Sequence, residues 1–279
     1  MFDISLIIPT YGRFEEINRL LESIAKQDYA LEKIEVIIVD QNESIDLLPL
    51  IQQFLPKLYI IHHKTAVKGI AAAKNTGIRL SKAPIVTFPD DDCYYYEDTV
   101  SKALLFFKKY SDTDVIYGRV YNRSSNEKIM RKWPDKNIQL NLYNFHLNYS
   151  AITCFSKHKE IFFDERFGAG SGYASGEELD YVVYALKKKY KIIYTNTVDI
   201  WHPKLDLDIM PLNKIYGYAR GYGAICRKHT NFPMLFLFIK SFAFQVILIF
   251  KYGLLFQKQK TIKHYYAARG RLNGFIQFR

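Results

Sequence analysis

The sequence predicts an α/β protein built on a mainly parallel sheet flanked by helices, and three observations carry that prediction. From Ile4 to Lys109, short β-rich runs alternate with helical patterns, the order that right-handed strand–helix–strand units require. Polar residues gather where the strands stop: Pro9-Thr10-Tyr11, Asp40 and Asp90-Asp91-Asp92 each close an apolar run. Ligands bind such sheets outside the carboxyl ends of the strands, so one crevice is expected to collect all three groups. Finally, 279 residues with 49% apolar content suffice for one large α/β domain and an appendage.

The elements follow in order. A strand is predicted over Ile4–Pro9, a helix over Glu15–Gln27, a strand over Ile34–Asp40, a helix over Ile45–Phe54 and a strand over Leu58–His62. Ile70–Leu80 and Thr99–Lys109 read as helices on either side of a strand at Ile85–Phe88, and Val115–Tyr121 reads as a strand. Residues 123–148 are polar and aromatic without a period and read as a loop over the site. Order returns at Ile152–Phe155, and the Gly-rich turn Phe167–Gly172 leads to a helix from Gly176 to about Lys189. Leu179, Val182, Val183 and Leu186 fall at i, i+3, i+4 and i+7 there, so they form its buried stripe. Two short strands, Ile192–Thr195 and Val198–Trp201, end at His202-Pro203. A catalytic domain over residues 1–205 and a helical segment over 206–279 are expected, with no internal repeat and no low-complexity tract.

Three carboxylates in a row at Asp90-Asp91-Asp92 repel one another unless a cation sits among them. Hard oxygen donors favour Mg²⁺ or Mn²⁺, and Mg²⁺ is commonly shared between carboxylates and substrate phosphates. A nucleotide-diphosphate site is therefore the functional reading; a solvated acidic turn is the alternative.

The net charge of +11 is unevenly spread. Residues 209–279 hold 12 Lys and Arg and no Asp or Glu, whereas residues 1–208 hold 27 basic against 28 acidic side chains. The excess positive charge points that segment toward an anionic partner. Within it, Phe232–Phe256 is strongly apolar but carries Lys240 and Lys251. A lysine near the middle of a spanning helix costs roughly 2.5–3.5 kcal/mol on insertion scales, which disfavours spanning. With Arg220, Arg227, Lys228, Lys258, Lys260 and Lys263 around it, the run reads as helices lying in the interface of an anionic leaflet. The rival is a helical pair packed on the catalytic domain or in a homodimer. Cys93, Cys154 and Cys226 are odd in number and widely spaced, which suggests neither a disulfide framework nor a cysteine zinc site. No basic-then-apolar leader follows Met1, so the cytoplasm, at the inner face of the cell membrane, is the expected location.

Five ordered motifs over roughly residues 3–203 resemble the inverting GT-A glycosyltransferases of family 2: Leu6-Ile7-Ile8-Pro9-Thr10-Tyr11, Glu35-Val36-Ile37-Ile38-Val39-Asp40, the Gly69–Gly77 segment, Asp90-Asp91-Asp92 and Gly176-Glu177-Glu178-Leu179-Asp180. Two pieces of the C-terminal segment, Tyr218–Gly223 and Arg269–Gly274, look like a bacterial branch that decorates surface polysaccharides. The resemblance implies a GT-A fold and transfer of a sugar from a nucleotide-sugar donor, a UDP-sugar by preference, to a hydroxyl of a glycan or lipid-linked acceptor. It implies that Pro9, Thr10, Tyr11 and Asp40 hold the nucleotide base, with Lys74 and Asn75 beneath the nucleotide. Lys74 stands where Arg is commoner, and Gln41-Asn42-Glu43-Ser44 replaces the usual Asp-Gly-Ser, which leaves uridine, guanosine and thymidine donors open. Asp90 maps to the sugar end of the DxD element and Asp92, with His202, to the metal, while Asp91 is a cofactor-binding candidate between them whose role the resemblance leaves open. The general base maps to Glu178, with Asp180 as the second candidate; Ser175-Gly176-Glu177-Glu178 also has the spacing of a capping box.

Two rival functions are weaker. A nucleotidyltransferase would show a Gly-rich phosphate loop after the first strand, and Pro9-Thr10-Tyr11-Gly12-Arg13 is not one. A nucleic-acid binder would use the basic C-terminal segment, which is too apolar for that; no nucleic-acid partner is expected.

Overall fold

The computed structural model describes residues 1–158, 160–204 and 209–279. Strand β1 (Ile4–Thr10) is buried along its whole length, as an uninterrupted apolar run covered on both faces must be. Helix α1 (Glu15–Ile24) follows and buries Ile17, Leu20, Leu21 and Ile24, one stripe at helical spacing. β2 (Ile34–Asp40), α2 (Leu48–Phe54) and β3 (Tyr59–Lys64) repeat the unit, and α3 (Ile70–Leu80) returns the chain to β4 (Ile85–Thr87). The acidic triplet comes next, then the two-residue strand β5 (Tyr94–Tyr95) and α4 (Thr99–Lys109). β6 (Val115–Asn122), the short β7 (Glu127–Lys128) and β8 (Ile138–Gln139), and β9 (Cys154–Ser156) lead to α5 (Glu177–Lys187) and β10 (Ile192–Trp201). Three helices close the chain: α6 (Leu212–Lys228), α7 (Phe232–Leu254) and α8 (Lys258–Gln277).

Among the described residues the sheet runs β3-β2-β1-β4-β9-β6-β10-β5. β3, β2, β1 and β4 are mutually parallel, β6 and β10 are parallel to each other, and β9 runs antiparallel to both β4 and β6. The result is a mixed sheet, in which the first βα units supply the parallel half. Its core is made by Ile4, Leu6 and Ile8 of β1 and Val36 and Ile38 of β2 against α1, α2 and α4. β3 is exposed at both ends, half-buried between and nowhere fully buried, and it carries His62, His63 and Lys64, as befits an edge strand.

Two segments differ from the sequence reading. The two strands expected at Ile192–Thr195 and Val198–Trp201 are one strand, β10, whose register against β6 shifts between Tyr194 and Asp199. The polar Asn196-Thr197 gap between them lies in an irregularity inside the strand, where the hydroxyls of Thr195 and Thr197 are hydrogen-bonded at 2.8 Å. Residues 123–148, read as a loop, contain β7 and β8 and anchor Trp133 in the interior. That indole stacks on Tyr194 at 5.8 Å and donates from Nε1 to the Ile129 carbonyl at 2.7 Å.

The chain divides into two compact units: Met1–Lys68, Ala72–Phe162 and Tyr184–Leu205 in the first, and Gly69–Ala71, Phe163–Val183 and Asp206–Arg279 in the second. The boundary expected at residues 205 and 206 lies outside the described residues. In the second unit the Gly-rich turn and the start of α5 pack with the C-terminal helices. α6 and α8 touch backbone to backbone: a Cβ on Gly223 would lie 2.1 Å from the Arg271 carbonyl, and one on Gly274 would lie 2.0 Å from that of Arg220. The glycines of both C-terminal motifs therefore have a packing role in the structure.

Candidate active site

Register brings three strand ends together in the first unit. Thr10 pairs with Asp40 across β1 and β2, and Leu6 pairs with Thr87 across β1 and β4, so the acidic triplet after β4 emerges beside the end of β1. Thr10 Oγ1 donates to Asp91 Oδ2 at 2.9 Å. Arg13, just beyond the strand, reaches back with Nη2 3.1 Å from Asp92 Oδ2 and with Nε 3.9 Å from Asp91 Oδ1, while Nη1 holds Glu16 at 2.8 Å.

His202 joins this cluster because β5 starts two residues after Asp92 and pairs antiparallel with the end of β10, with Trp201 opposite Tyr94 and the two rings stacked at 4.8 Å. Its Nδ1 lies 2.7 Å from the Pro203 carbonyl, which only accepts, so Nδ1 carries a hydrogen and Nε2 faces the acids. Nε2 is 3.1 Å from Asp92 Oδ1 and 3.9 Å from Asp90 Oδ2. The ligand atoms of Asp90, Asp92 and His202 all lie within 4.8 Å of one another. Two carboxylates and an imidazole, the latter oriented by a carbonyl on its far nitrogen, form a donor set that suits Mg²⁺ or Mn²⁺.

The electrostatics follow from crowding. Burial pushes the Asp90 carboxyl up to about 6; Lys74 and His202 oppose the shift, while Asp92 and Asp91 add to it. Burial likewise raises Asp91 to about 6 against the Thr10 hydrogen bond and the Arg13 charge. For Asp92 burial is outweighed by the His202 hydrogen bond and by the charges of His202 and Arg13, and its carboxyl is held below the ordinary value. His202 shows the reciprocal effect: burial lowers its basicity, but the Asp92 hydrogen bond and the charges of Asp92 and Asp90 raise it.

The residues expected around the nucleotide fall in the same region. Pro9 and Thr10 are buried at the end of β1, and Tyr11 is 61% exposed with the Lys68 ammonium 4.8 Å from its ring centroid. Lys74 and Asn75 are buried in α3, where the Lys74 charge acts on Asp90. Asp40 is completely buried. Its Oδ1 accepts from the backbone N and Nδ2 of Asn42, both at 2.8 Å, and its Oδ2 accepts from His62 Nε2 at 2.9 Å.

Glu178 and Asp180 belong to the second unit. Glu178 is partly buried, while Glu177 and Asp180 are buried. The helical stripe places Glu177 on the outer side, yet the Gly-rich turn folds over the first turn of α5: Gly168 has φ +98°, and a Cβ there would sit 3.0 Å from Glu177 Oε2. Ser175 Oγ donates to the Tyr218 carbonyl at 2.9 Å. Asp180 is held by Lys228 Nζ at 2.7 Å and His229 Nε2 at 2.6 Å, and Lys228 also bridges to Asp164 at 2.7 Å. The hydrogen bonds of Arg166 and Lys228, against the cost of burial, hold the Asp164 carboxyl far below its ordinary value. Arg13 was not singled out as a site residue by the sequence, although its place three residues beyond the Pro9-Thr10 strand end was a usable signal.

Among curated proteins the chain is similar to the poly(ribitol-phosphate) β-N-acetylglucosaminyltransferase TarS of Staphylococcus aureus, 24% identical over 173 residues, which cover 59% of this chain and 30% of that one. The chain spans less than half the length of the curated relatives it matches first. Solved structures show the same fold. The S. aureus TarS 1–349 structure in complex with UDP-GlcNAc matches with a TM-score of 0.60 at 15% identity, over 98% of this chain and 92% of that one. The Pyrobaculum calidifontis mannosyltransferase PcManGT in complex with GDP-Man and Mn²⁺ matches with a TM-score of 0.65 at 16% identity, over 99% and 88%. Residues 5–167, more than half of this chain, match the family model described as glycosyl transferase family 2, and the chain belongs to that family.

Proposed function

We propose that the protein transfers a hexose-type sugar from a nucleoside-diphosphate donor to a hydroxyl of a lipid-linked glycan, with inversion and with a divalent metal. The observation that carries this reading is the Asp90, Asp92 and His202 cluster at the strand ends. Asp92 and His202 hold the ion, with Asp90 at the sugar end of the same element. Bound there, Mg²⁺ or Mn²⁺ supplies positive charge to the diphosphate leaving group. Lys74 adds a cation beside Asp90, and Arg13, already within reach of Asp92, has the fork to take a phosphate oxygen. Glu178 removes the proton of the acceptor hydroxyl; the new oxygen–C1 bond forms as the C1–diphosphate bond breaks, and the nucleoside diphosphate leaves with that electron pair. Glu178 is preferred to Asp180, because Lys228 and His229 already hold Asp180. The ligands bound in the similar structures, UDP-GlcNAc in one and GDP-Man with Mn²⁺ in another, support a nucleotide sugar and favour UDP or GDP over thymidine donors.

An anionic membrane surface is the proposed second partner. In α7 the side chains of Phe232, Leu235, Phe236, Ile239, Phe244, Ile247, Phe250 and Leu254 are exposed at spacings of mainly three and four, an apolar face opposite the buried Met234, Leu237 and Phe238. Lys240 and Lys251 edge that face. The helix is long and apolar enough to cross a membrane, but it packs along α8, which carries Lys258, Lys260, Lys263, Arg269 and Arg271. Taking those charges into hydrocarbon is unfavourable, and an in-plane position at the cytoplasmic face avoids it.

A thermal-shift screen of UDP, GDP and dTDP, each with and without Mn²⁺, tests the donor assignment. One nucleotide is expected to raise the melting temperature only when metal is present, by mass action on the folded state. No shift with any of the three would overturn it.

A further inference from the structure

We infer that Asp40 positions the nucleotide-binding loops instead of reading the base, and that His62 acts through it; the inference rests on the nucleotide-donor reading above. A carboxylate that accepts from a base imide must present an oxygen to the ligand. Asp40 presents none: it is 0% exposed, with Oδ1 taken by two donors of Asn42 and Oδ2 by His62 Nε2. A base could reach Oδ2 only by opening the buried corner that His62 already occupies, and displacing His62 would leave a half-buried imidazole without its partner.

The same bonds form a chain across three strand ends. His62 stands on β3, opposite Ile38 of β2. Asp40 closes β2, and its backbone carbonyl accepts from Thr65 N at 2.9 Å. Asn42, 4% exposed, accepts with Oδ1 from Gly12 N at 2.5 Å. Gly12 sits at φ +75°, a left-handed position that its missing Cβ makes accessible, and it lies between Tyr11 and Arg13. Fixing its N–H therefore fixes the exposed Tyr11 ring on one side and, on the other, the guanidinium that meets Asp92 at 3.1 Å. The departure at Gln41-Asn42-Glu43-Ser44 now has a physical meaning, since Asn42 supplies the two donors that close off Asp40 Oδ1 and the acceptor that holds Gly12. Selectivity for the base then belongs to exposed groups beside it, of which Tyr11 and Lys68 are the pair in contact.

The test measures Kd for UDP and N3-methyl-UDP, and for GDP and N1-methyl-GDP, with Mn²⁺ present, on the wild type, Asp40→Asn, His62→Leu and His62→Gln. Methylation removes the imide hydrogen that a reading carboxylate would accept. Positioning predicts that Asp40→Asn and His62→Leu weaken a nucleotide and its methylated form by the same factor, about tenfold or more, because a misplaced loop harms every ligand alike. It also predicts that His62→Gln, which keeps a donor, recovers most of that loss. If the preference for the unmethylated base is large in the wild type and collapses in Asp40→Asn but not in His62→Leu, Asp40 reads the base and the inference is overturned. If no nucleoside diphosphate binds the wild type at all, the donor reading falls first and this one falls with it.

Discussion

Asp92 is the acid that its neighbours keep ionised, and that makes it the residue whose loss is most informative. Asp92→Ala removes the carboxylate that meets both His202 and Arg13, so Mn²⁺-dependent nucleotide binding should be lost while the apolar core cluster, to which Asp92 does not belong, keeps the protein folded. Calorimetric titration of the nucleotide with and without Mn²⁺ checks this. Asp90 and Asp91 behave oppositely. Their carboxyls are pushed up to about 6, above the ordinary value near 4, so their contribution to stability without metal is fully present below about pH 4 and is lost as pH rises through about 6. An added divalent ion has fewer protons to displace at pH 7 than at pH 5. The melting-temperature rise given by Mn²⁺ should therefore grow across that interval, and an equal rise at both pH values would count against a metal bound beside these acids. Glu178→Gln keeps the shape of the side chain but cannot take a proton at neutral pH. Donor binding should persist in that variant while transfer falls about 10²- to 10⁴-fold, as removal of a general base does.

Helix α5 separates two kinds of acid within four residues. Asp180 is buried under Lys228 and His229, and removing one partner from a buried ionic cluster costs about 3–5 kcal/mol. Asp180→Asn should accordingly lower the urea midpoint strongly. If it instead left stability unchanged and abolished transfer, the base would be Asp180. The sequence exposes the elements that have a clear period or an unbroken apolar run: β2, α3 and α4 lie at the predicted residues, because their burial is decided by local pattern. What it hides depends on tertiary contact. The burial of Glu177 comes from the Gly-rich turn folding over the helix start, the continuity of β10 comes from its pairing with β6, and the interior place of Trp133 comes from Tyr194, sixty-one positions along the chain. The site was visible as strand-end acids and a terminal histidine. The closure of Asp40 by His62 was not, since that bond joins two neighbouring strands whose pairing no local pattern reveals.

At the scale of the whole molecule, positive charge and exposed apolar surface are both concentrated in the C-terminal helices α6 to α8. The turn between α7 and α8 exposes Leu254, Leu255 and Phe256 among Lys251, Lys258 and Lys260, and each basic side chain near an anionic leaflet is worth about 1 kcal/mol. The full chain should float with phosphatidylglycerol-containing vesicles at low salt and less so at high salt, and the double change Leu255→Asp, Phe256→Asp should weaken flotation at both. A stable dimer that stays in the soluble fraction at low salt would assign the α7 face to a second copy. The catalytic claim is tested most directly by following UDP-, GDP- and dTDP-sugars with the full-length protein and identifying the nucleotide released, with EDTA and with Mn²⁺ added back. One donor class should yield its nucleoside diphosphate, EDTA should stop the release, and Mn²⁺ should restore it in the wild type but not in Asp92→Ala. Release that EDTA does not affect, or release of a nucleoside monophosphate or of pyrophosphate in place of the diphosphate, would contradict a metal-dependent glycosyl transfer at these strand ends.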